Sequence, residues 1–241
     1  MTELERVPED WSRALAVAAH PDDLEYGAAC AIARWTDQGK WVGYVMASAG
    51  EAGIDSMPPD RAAAARIDEE ERSAAVVGVD TVEFLGHPDG LIEPSVALRR
   101  DLAGAIRRHR PDVLISINFR QEWPGGGGWN HVDHRVVGEV LLDASRDAAN
   151  RWVFPGFGGA PWSGVRFAIF GASPRSTHGV DVTDHLERGV ASLAEHRAYL
   201  DGLPEGTTGR DPDAFTRQMT SGAGEQLGVD AAVAFELIQL G

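Results

Sequence analysis

The stretch Leu15-Ala16-Val17-Ala18-Ala19-His20-Pro21-Asp22-Asp23-Leu24-Glu25 decides the fold. Its first five residues form a short apolar run with no polar alternation, the pattern of a strand covered on both faces in a parallel sheet. His20-Pro21 ends the run. Apolar positions then recur at Leu24, Ala28, Ile32 and Trp35, and this spacing predicts a helix over residues 24–39. A strand leading straight into a helix, with polar residues crowded at the junction, is the opening unit of a doubly wound α/β sheet.

Working outward, residues 41–47, 81–85, 113–117 and 165–170 read as further strands, and residues 61–77, 96–110 and 131–149 as helices. Residues 180–183 read as a short extended piece before a helix over 184–200, and the pattern after residue 201 is less regular. Alternation of strand and helix through the first 150 residues implies a Rossmann-like, mostly parallel sheet with right-handed crossovers. The 241 residues are read as one domain, with a core over about 13–200 and a tail over 201–241 that completes the pocket.

A net charge of −15, from 22 Lys and Arg against 37 Asp and Glu, argues against nucleic acid and anionic membrane surfaces as partners. It favours neutral or cationic substrates. The first residues, MTELERVPEDW, lack the apolar core of a secretory signal or membrane anchor, so a cytoplasmic enzyme is expected. Cys30 is the single cysteine, which excludes an intrachain disulfide and a thiolate-rich zinc site. Any transition metal must therefore rest on His and carboxylate.

In a doubly wound sheet, function collects beyond the carboxyl ends of the strands. His20, Asp22, Asp23 and Glu25 fall there within six positions, too dense a set for helix capping alone. The second such cluster is His131-Val132-Asp133-His134, opening the helix after a loop that contains Gly125 to Gly128. His131 and His134 are three residues apart on one helix face and can address one point. His20, one of the two aspartates and one of the two later histidines make a three-ligand catalytic site for a zinc-type ion. The remaining Asp is then free as a base and the remaining His as an acid or electrostatic stabiliser.

The pairing of AHPDDLE at residues 19–25 with HVDH at 131–134 resembles the PIG-L/LmbE family of zinc-dependent N-deacetylases. Supporting similarity lies in Ser48 to Gly53, in the Arg/Glu helix from Arg66 to Val79, in Leu85 to Leu91 (LGHPDGL) and in Val180 to Thr183. The resemblance implies His20, Asp23 and His134 as zinc ligands, Asp22 as general base, and His131 as a second catalytic histidine held or tuned by Asp133. It also implies Glu51 and Arg66 as contacts to substrate hydroxyls, with Trp129 and His178 as further pocket residues. The implied substrate is an N-acetylglucosamine-type sugar or glycoconjugate, and the implied assembly a homo-oligomer. An amidase of sugar-thiol conjugates and a non-catalytic sugar-binding module are the competing readings. A His and Asp ligand set would also accept iron, cobalt or manganese.

The chain departs from the family pattern at three places. Trp129 stands where some members carry a Tyr near the oxyanion, and an indole donates one hydrogen bond without titrating. His196-Arg197-Ala198-Tyr199 replaces a His-x-Ser-Gln pattern, and residues 232–236 depart from the family's late segment. Gly125 to Gly128 lacks the Lys-Ser/Thr of a phosphate loop and reads as an active-site loop, with Trp123, Trp129, Trp152 and Trp162 packing it onto the domain.

Overall fold

In the computed structural model, which describes residues 3–240, the chain runs β1 (Glu5–Arg6), β2 (Arg13–Ala18), α1 (Asp23–Gly27), α2 (Ala29–Asp37), β3 (Trp41–Met46), α3 (Pro59–Val76), β4 (Val82–Phe84) and α4 (Val96–His109). It continues through β5 (Val113–Ile117), α5 (Val132–Ala149), β6 (Phe167–Gly171), β7 (His178–Asp181), α6 (Leu186–Leu193), α7 (Arg197–Gly202), α8 (Pro212–Leu227) and β8 (Ala232–Gln239). The strands form one eight-stranded sheet in the order β1-β7-β8-β6-β5-β2-β3-β4. All neighbouring pairs are parallel except those made by β8, which runs antiparallel to β6 and β7. No helix among the described residues is long and apolar enough to cross a membrane.

Alternate residues of the central strands feed two cores. Ala14, Ala16 and Ala18 of β2 join Tyr44, Met46 and Ile115 on one face, packed under Ile32 and Trp35 of α2. Leu15 and Val17 join Val45 and Leu114 on the other, under Leu98, Leu102 and Ile106 of α4 and Val137 and Leu141 of α5. Burial on both faces is why β2 and β5 carry no polar alternation. Each Leu or Ile so placed contributes about 1.5–3 kcal/mol of transfer free energy. α4 is stopped at each end by its own sequence: the Ser95 hydroxyl accepts the Leu98 N–H, and Arg107, Arg108 and His109 fill the last turn, where cations suit the exposed carbonyls.

Three expectations change. The helix expected over 24–39 is two helices, broken at Ala28 (φ −147°, ψ −15°). The break lets Gly27 press onto β5, where even a methyl group would stand 2.7 Å from the Ile117 side chain. The helix expected over 184–200 is also divided, into a 3-10 turn at Thr183–His185 and the helices α6 and α7, with buried His196 between them. The tail is regular after all. Asp211 caps α8 through the N–H groups of Asp213 and Ala214, Gly228 (φ 77°) ends it, and β8 then inserts between β6 and β7.

β2 lies between β3 and β5, and α2, which follows β2, packs on one face of the sheet while α4, which precedes β5, packs on the other. That is the topological switch point, and the crevice beyond it is where the polar residues converge.

Candidate active site

The loop after β2 is pinned by its own carboxylate. Asp23 accepts the backbone N–H groups of Ala19 (3.1 Å) and His20 (2.9 Å), which fixes the His20 ring relative to the strand. His20 Nε2 lies 2.9 Å from Asp89 Oδ1 and 3.2 Å from Asp133 Oδ2, so that nitrogen carries the proton and Nδ1 is left to face inward. His134, in the first turn of α5, has Nδ1 3.0 Å from Asn130 Oδ1, and Asn130 is itself held by donating to the carbonyls of Asn118 and Arg120. The inward nitrogens, His20 Nδ1 and His134 Nε2, stand 3.2 Å apart. Asp23 Oδ1 is 3.0 Å from His134 Nε2, and Asp23 Oδ2 is 3.6 Å from His20 Nδ1.

This set fits a zinc-type ion. Tetrahedral bonds of roughly 2.0–2.1 Å put neighbouring ligand atoms about 3.3 Å apart, the spacing seen. Each imidazole also gives its other nitrogen to an oxygen acceptor, the outer arrangement that metal-binding histidines require. Burial would depress the His20 imidazole, but Asp23, Asp133 and Asp89 overcome it and hold the ring well above the usual histidine range. Burial works against the Asp23 carboxylate too, and His134 and His20 reverse it, leaving Asp23 ionised.

Asp22 has a left-handed backbone (φ 85°), a conformation that costs a non-glycine residue about 1–3 kcal/mol. Two groups of α3, one turn apart, stabilise it: Arg66 Nη2 donates to Asp22 Oδ1 (2.9 Å) and Glu70 Oε2 accepts the Asp22 N–H (3.1 Å). Arg66 also donates to the Pro21 carbonyl and lies over the Tyr199 ring, 4.3 Å from its centre. Asp22 Oδ2 is buried without a partner, in a side chain that lines the cavity. Burial raises the Asp22 carboxyl to about 6, against the pull of Arg66 and with the help of Asp23.

His131 caps α5, its Nδ1 accepting the Asp133 N–H (3.2 Å), which leaves the proton of the neutral ring on Nε2. Its ring centre is 5.1 Å from that of His20 and 5.3 Å from that of His134. Burial, then the charges of His20 and His134, lower its pKa.

Other residues differ from their expected places. The Asp133 carboxylate does not hydrogen-bond His131, on which it acts only through its charge; it accepts from Gly90 N (2.7 Å), Ile92 N (3.2 Å) and His20, because it points along another face of α5. Glu51 accepts the Asp89 N–H (2.9 Å) and so steadies the turn after β4. Arg66 lines the cavity, but Nη1 and Nη2 are committed to Asp22 and to backbone carbonyls, and Nε is buried without a partner. Trp129 is 63% exposed with Arg135 over its face, and Trp152 is 83% exposed, so neither packs the glycine loop down. Trp162 donates to the Pro111 carbonyl, and Trp123 alone of the four lines the cavity. His178 begins β7, bound to Thr177 and 3.8 Å from Glu5, outside the cavity lining.

Two features escaped the sequence reading: Asp89, and the meeting of Glu25 and His196 with Glu70. Asp89 comes from His87-Pro88-Asp89, a second copy of the triplet at residues 20–22, and that repetition was the available signal. Behind Asp22, Glu25, Glu70 and His196 form a buried cluster, with His196 Nε2 3.5 Å from Glu25 and 3.7 Å from Glu70. Burial and the neighbouring Glu25 push Glu70 well above the usual carboxylate range.

Together the residues offer a cluster of three histidines, His20, His131 and His134, with ligand nitrogens close enough for one cation, the Asp23 carboxylate against two of them, and Asp22 with a free oxygen, around a cavity of about 910 Å³. A family model described as GlcNAc-PI de-N-acetylase, PIG-L, matches residues 15–145. The chain belongs to the PIG-L family. A diacetylchitobiose deacetylase of Thermococcus kodakarensis is 26% identical over 205 residues, covering 79% of this chain and 71% of that protein. A 1D-myo-inositol 2-acetamido-2-deoxy-alpha-D-glucopyranoside deacetylase of Kineococcus radiotolerans is 28% identical over 195 residues, 67% of this chain; the chain spans about half, 52%, of that relative's length. Among solved structures, the N,N'-diacetylchitobiose deacetylase of Pyrococcus horikoshii superposes with a TM-score of 0.83 at 25% identity, covering 96% of this chain and 85% of that one. All three of these relatives are named as deacetylases.

Proposed function

We propose that this PIG-L protein is a zinc-dependent hydrolase that removes the acetyl group from an N-acetylglucosamine-type sugar or glycoconjugate. The observation that carries the reading is Asp22: a carboxylate held by Arg66 and Glu70 beside the His20, Asp23 and His134 donor set, with one oxygen left free. A protein that only binds sugar needs no such group, so Asp22 disfavours the non-catalytic module.

His20, Asp23 and His134 would hold the zinc, which when bound supplies Lewis-acid polarisation of the carbonyl and lowers the pKa of water toward about 7. Asp22 takes the proton of the attacking water on Oδ2. It later returns that proton to the departing nitrogen, so that amide and water become amine and acetate. Its carboxyl, raised to about 6 by burial, suits both tasks near neutral pH. His131 donates from Nε2 to the carbonyl oxygen as that atom gains charge, an interaction of about 3 kcal/mol at the barrier. Asp133 and Asp89 keep the proton of His20 on Nε2 and so preserve the direction of the ring. Glu51 acts one step further out, through the turn that carries Asp89.

The test is release of acetate from N-acetylglucosamine conjugates, expected to stop on chelation and to return with zinc. Restoration by iron, cobalt or manganese in preference to zinc would overturn the metal assignment. Release that survives exhaustive chelation would overturn the reading itself.

A further inference from the structure

Beyond the reacting groups, the cavity changes character. One side is Trp123 and Pro124 of the glycine loop, with the Trp123 ring edge-on to His134 at 5.7 Å. Another part of the lining is the segment from Leu203 to Met219, whose Leu203, Phe215 and Met219 border the space with Tyr26 of α1. Tyr26 ties this segment to the floor: its hydroxyl donates to the Gly209 carbonyl (2.9 Å), and its ring meets Phe215 edge-on at 5.0 Å. The side chains there able to pair with hydroxyl groups are Thr207, Thr208 and Gln218, all uncharged.

Charge narrows the choice of ligand. Arg66 is the only Lys or Arg lining the cavity among the described residues; its two terminal nitrogens donate to Asp22 and to backbone carbonyls, and its Nε is buried. Asp22, Asp23 and Asp89 line the same space. A phosphate or carboxylate on the far part of a substrate would meet no lining Lys or Arg beside the 203–219 segment, at a cost of unpaired desolvation. A second polyol ring would lay many hydroxyls against Leu203, Phe215 and Met219 with few partners. About 910 Å³ is also near the top of the range of roughly 300–1,000 Å³ for small-molecule sites, more room than one sugar ring needs.

Resting on the deacetylase reading, we infer that the substrate is an N-acetylated amino sugar bonded to an uncharged, largely apolar aglycone, which lies between Trp123 and the 203–219 segment. The acetamido group must sit at the His20, Asp23 and His134 cluster, which fixes one end of the ligand. The apolar end is where the rest of it goes.

The experiment compares kcat/KM for acetate release by the zinc-loaded protein from five compounds: free N-acetylglucosamine, its octyl and phenyl glycosides, and its myo-inositol and malate conjugates. The octyl and phenyl glycosides should exceed the free sugar by about tenfold or more, the return for burying a few methylene groups. The malate conjugate should fall below the free sugar. Phe215→Ser should lower the ratio of octyl to free sugar about tenfold through KM. Met219→Ser, at a half-exposed position that does not threaten folding, should lower it by a smaller factor. An unchanged ratio in both variants, or preference for the malate or inositol conjugate, overturns the inference. If no compound releases acetate, the deacetylase reading fails, and calorimetric binding of the octyl glycoside then decides the subsite alone: binding weakened by Met219→Ser supports it, and no binding overturns it.

Discussion

The floor and the far wall of the cavity are built in opposite ways. The floor gathers charged and titratable groups from the loop after β2, the turn after β4, one face of α3 and the start of α5, and cross-ties nearly every one to backbone or to another side chain. The wall arrives from a single late segment, lines the cavity with apolar and uncharged polar side chains, and is tied to the floor through Tyr26. Parallel strands hold the loops at their carboxyl ends on a rigid frame, which bond-making chemistry requires. A surface segment can change sequence without moving the sheet, which suits selection among substrates.

The largest effect should come from the floor. Asp22→Asn removes the proton acceptor and leaves His20, Asp23 and His134 in place, so kcat should fall by about 10²–10⁴ while zinc stoichiometry stays unchanged. Turnover within threefold of the parent, with zinc bound, would break the division of labour proposed for the floor.

Glu70 comes next. Glu70→Ala deletes the acceptor of the Asp22 N–H and frees a strained residue, and kcat should fall by roughly 10–100-fold at near-constant KM. Glu70→Gln keeps an oxygen acceptor at that place and should recover most of the loss. If Gln and Ala behave alike, Glu70 serves stability rather than the placement of Asp22.

The same contrast explains what the amino-acid sequence disclosed. The parallel strands were legible because burial on both faces leaves an apolar run that needs no partner to be recognised, and β5 appears at the residues expected, Val113–Ile117. β8 was not legible: its partners β6 and β7 lie far upstream, and several of its side chains are half-exposed. His20, Asp23 and His134 stood out because short spacing concentrates them. Glu70 did not, since it meets Asp22 across 48 positions and looks like any acid in a helix rich in Glu. His178 was placed in the pocket by its nearness to the 180–183 segment, but β7 begins at His178 itself and directs it toward Glu5. The apolar wall belongs to the least regular part of the sequence, where only packing against Tyr26 gives its residues a common purpose.

For the wall, Gly209→Ala should lower stability by about 1–2 kcal/mol, seen as a fall of roughly 2–8 °C in Tm. Gly209 has φ 95°, and an added methyl carbon would stand 2.9 Å from the Tyr26 ring. The octyl glycoside should lose more affinity than free N-acetylglucosamine. Equal losses would mean that the wall and the floor are one unit.

The smallest effect serves as the control for both regions. Glu83, on edge strand β4, pairs with His109 (2.6 Å) and Arg108 (2.6 Å), and these partners, His109 foremost, hold its carboxyl down at about 2. A carboxyl lowered on folding stabilises the protein fully above its unfolded value of about 4.5, and that contribution is lost as pH falls toward 2. The pair is partly exposed, so after solvent screening it contributes about 1 kcal/mol. Glu83→Gln should therefore melt a few degrees below the parent at pH 7, and the gap should close progressively between pH 4.5 and pH 2. Acetate release should be unaffected, because Glu83 touches neither the floor nor the wall. A loss of turnover in this variant would show that strain at the edge strand reaches the turn carrying Asp89, and the floor would then be less independent of its surroundings than its dense hydrogen bonding implies.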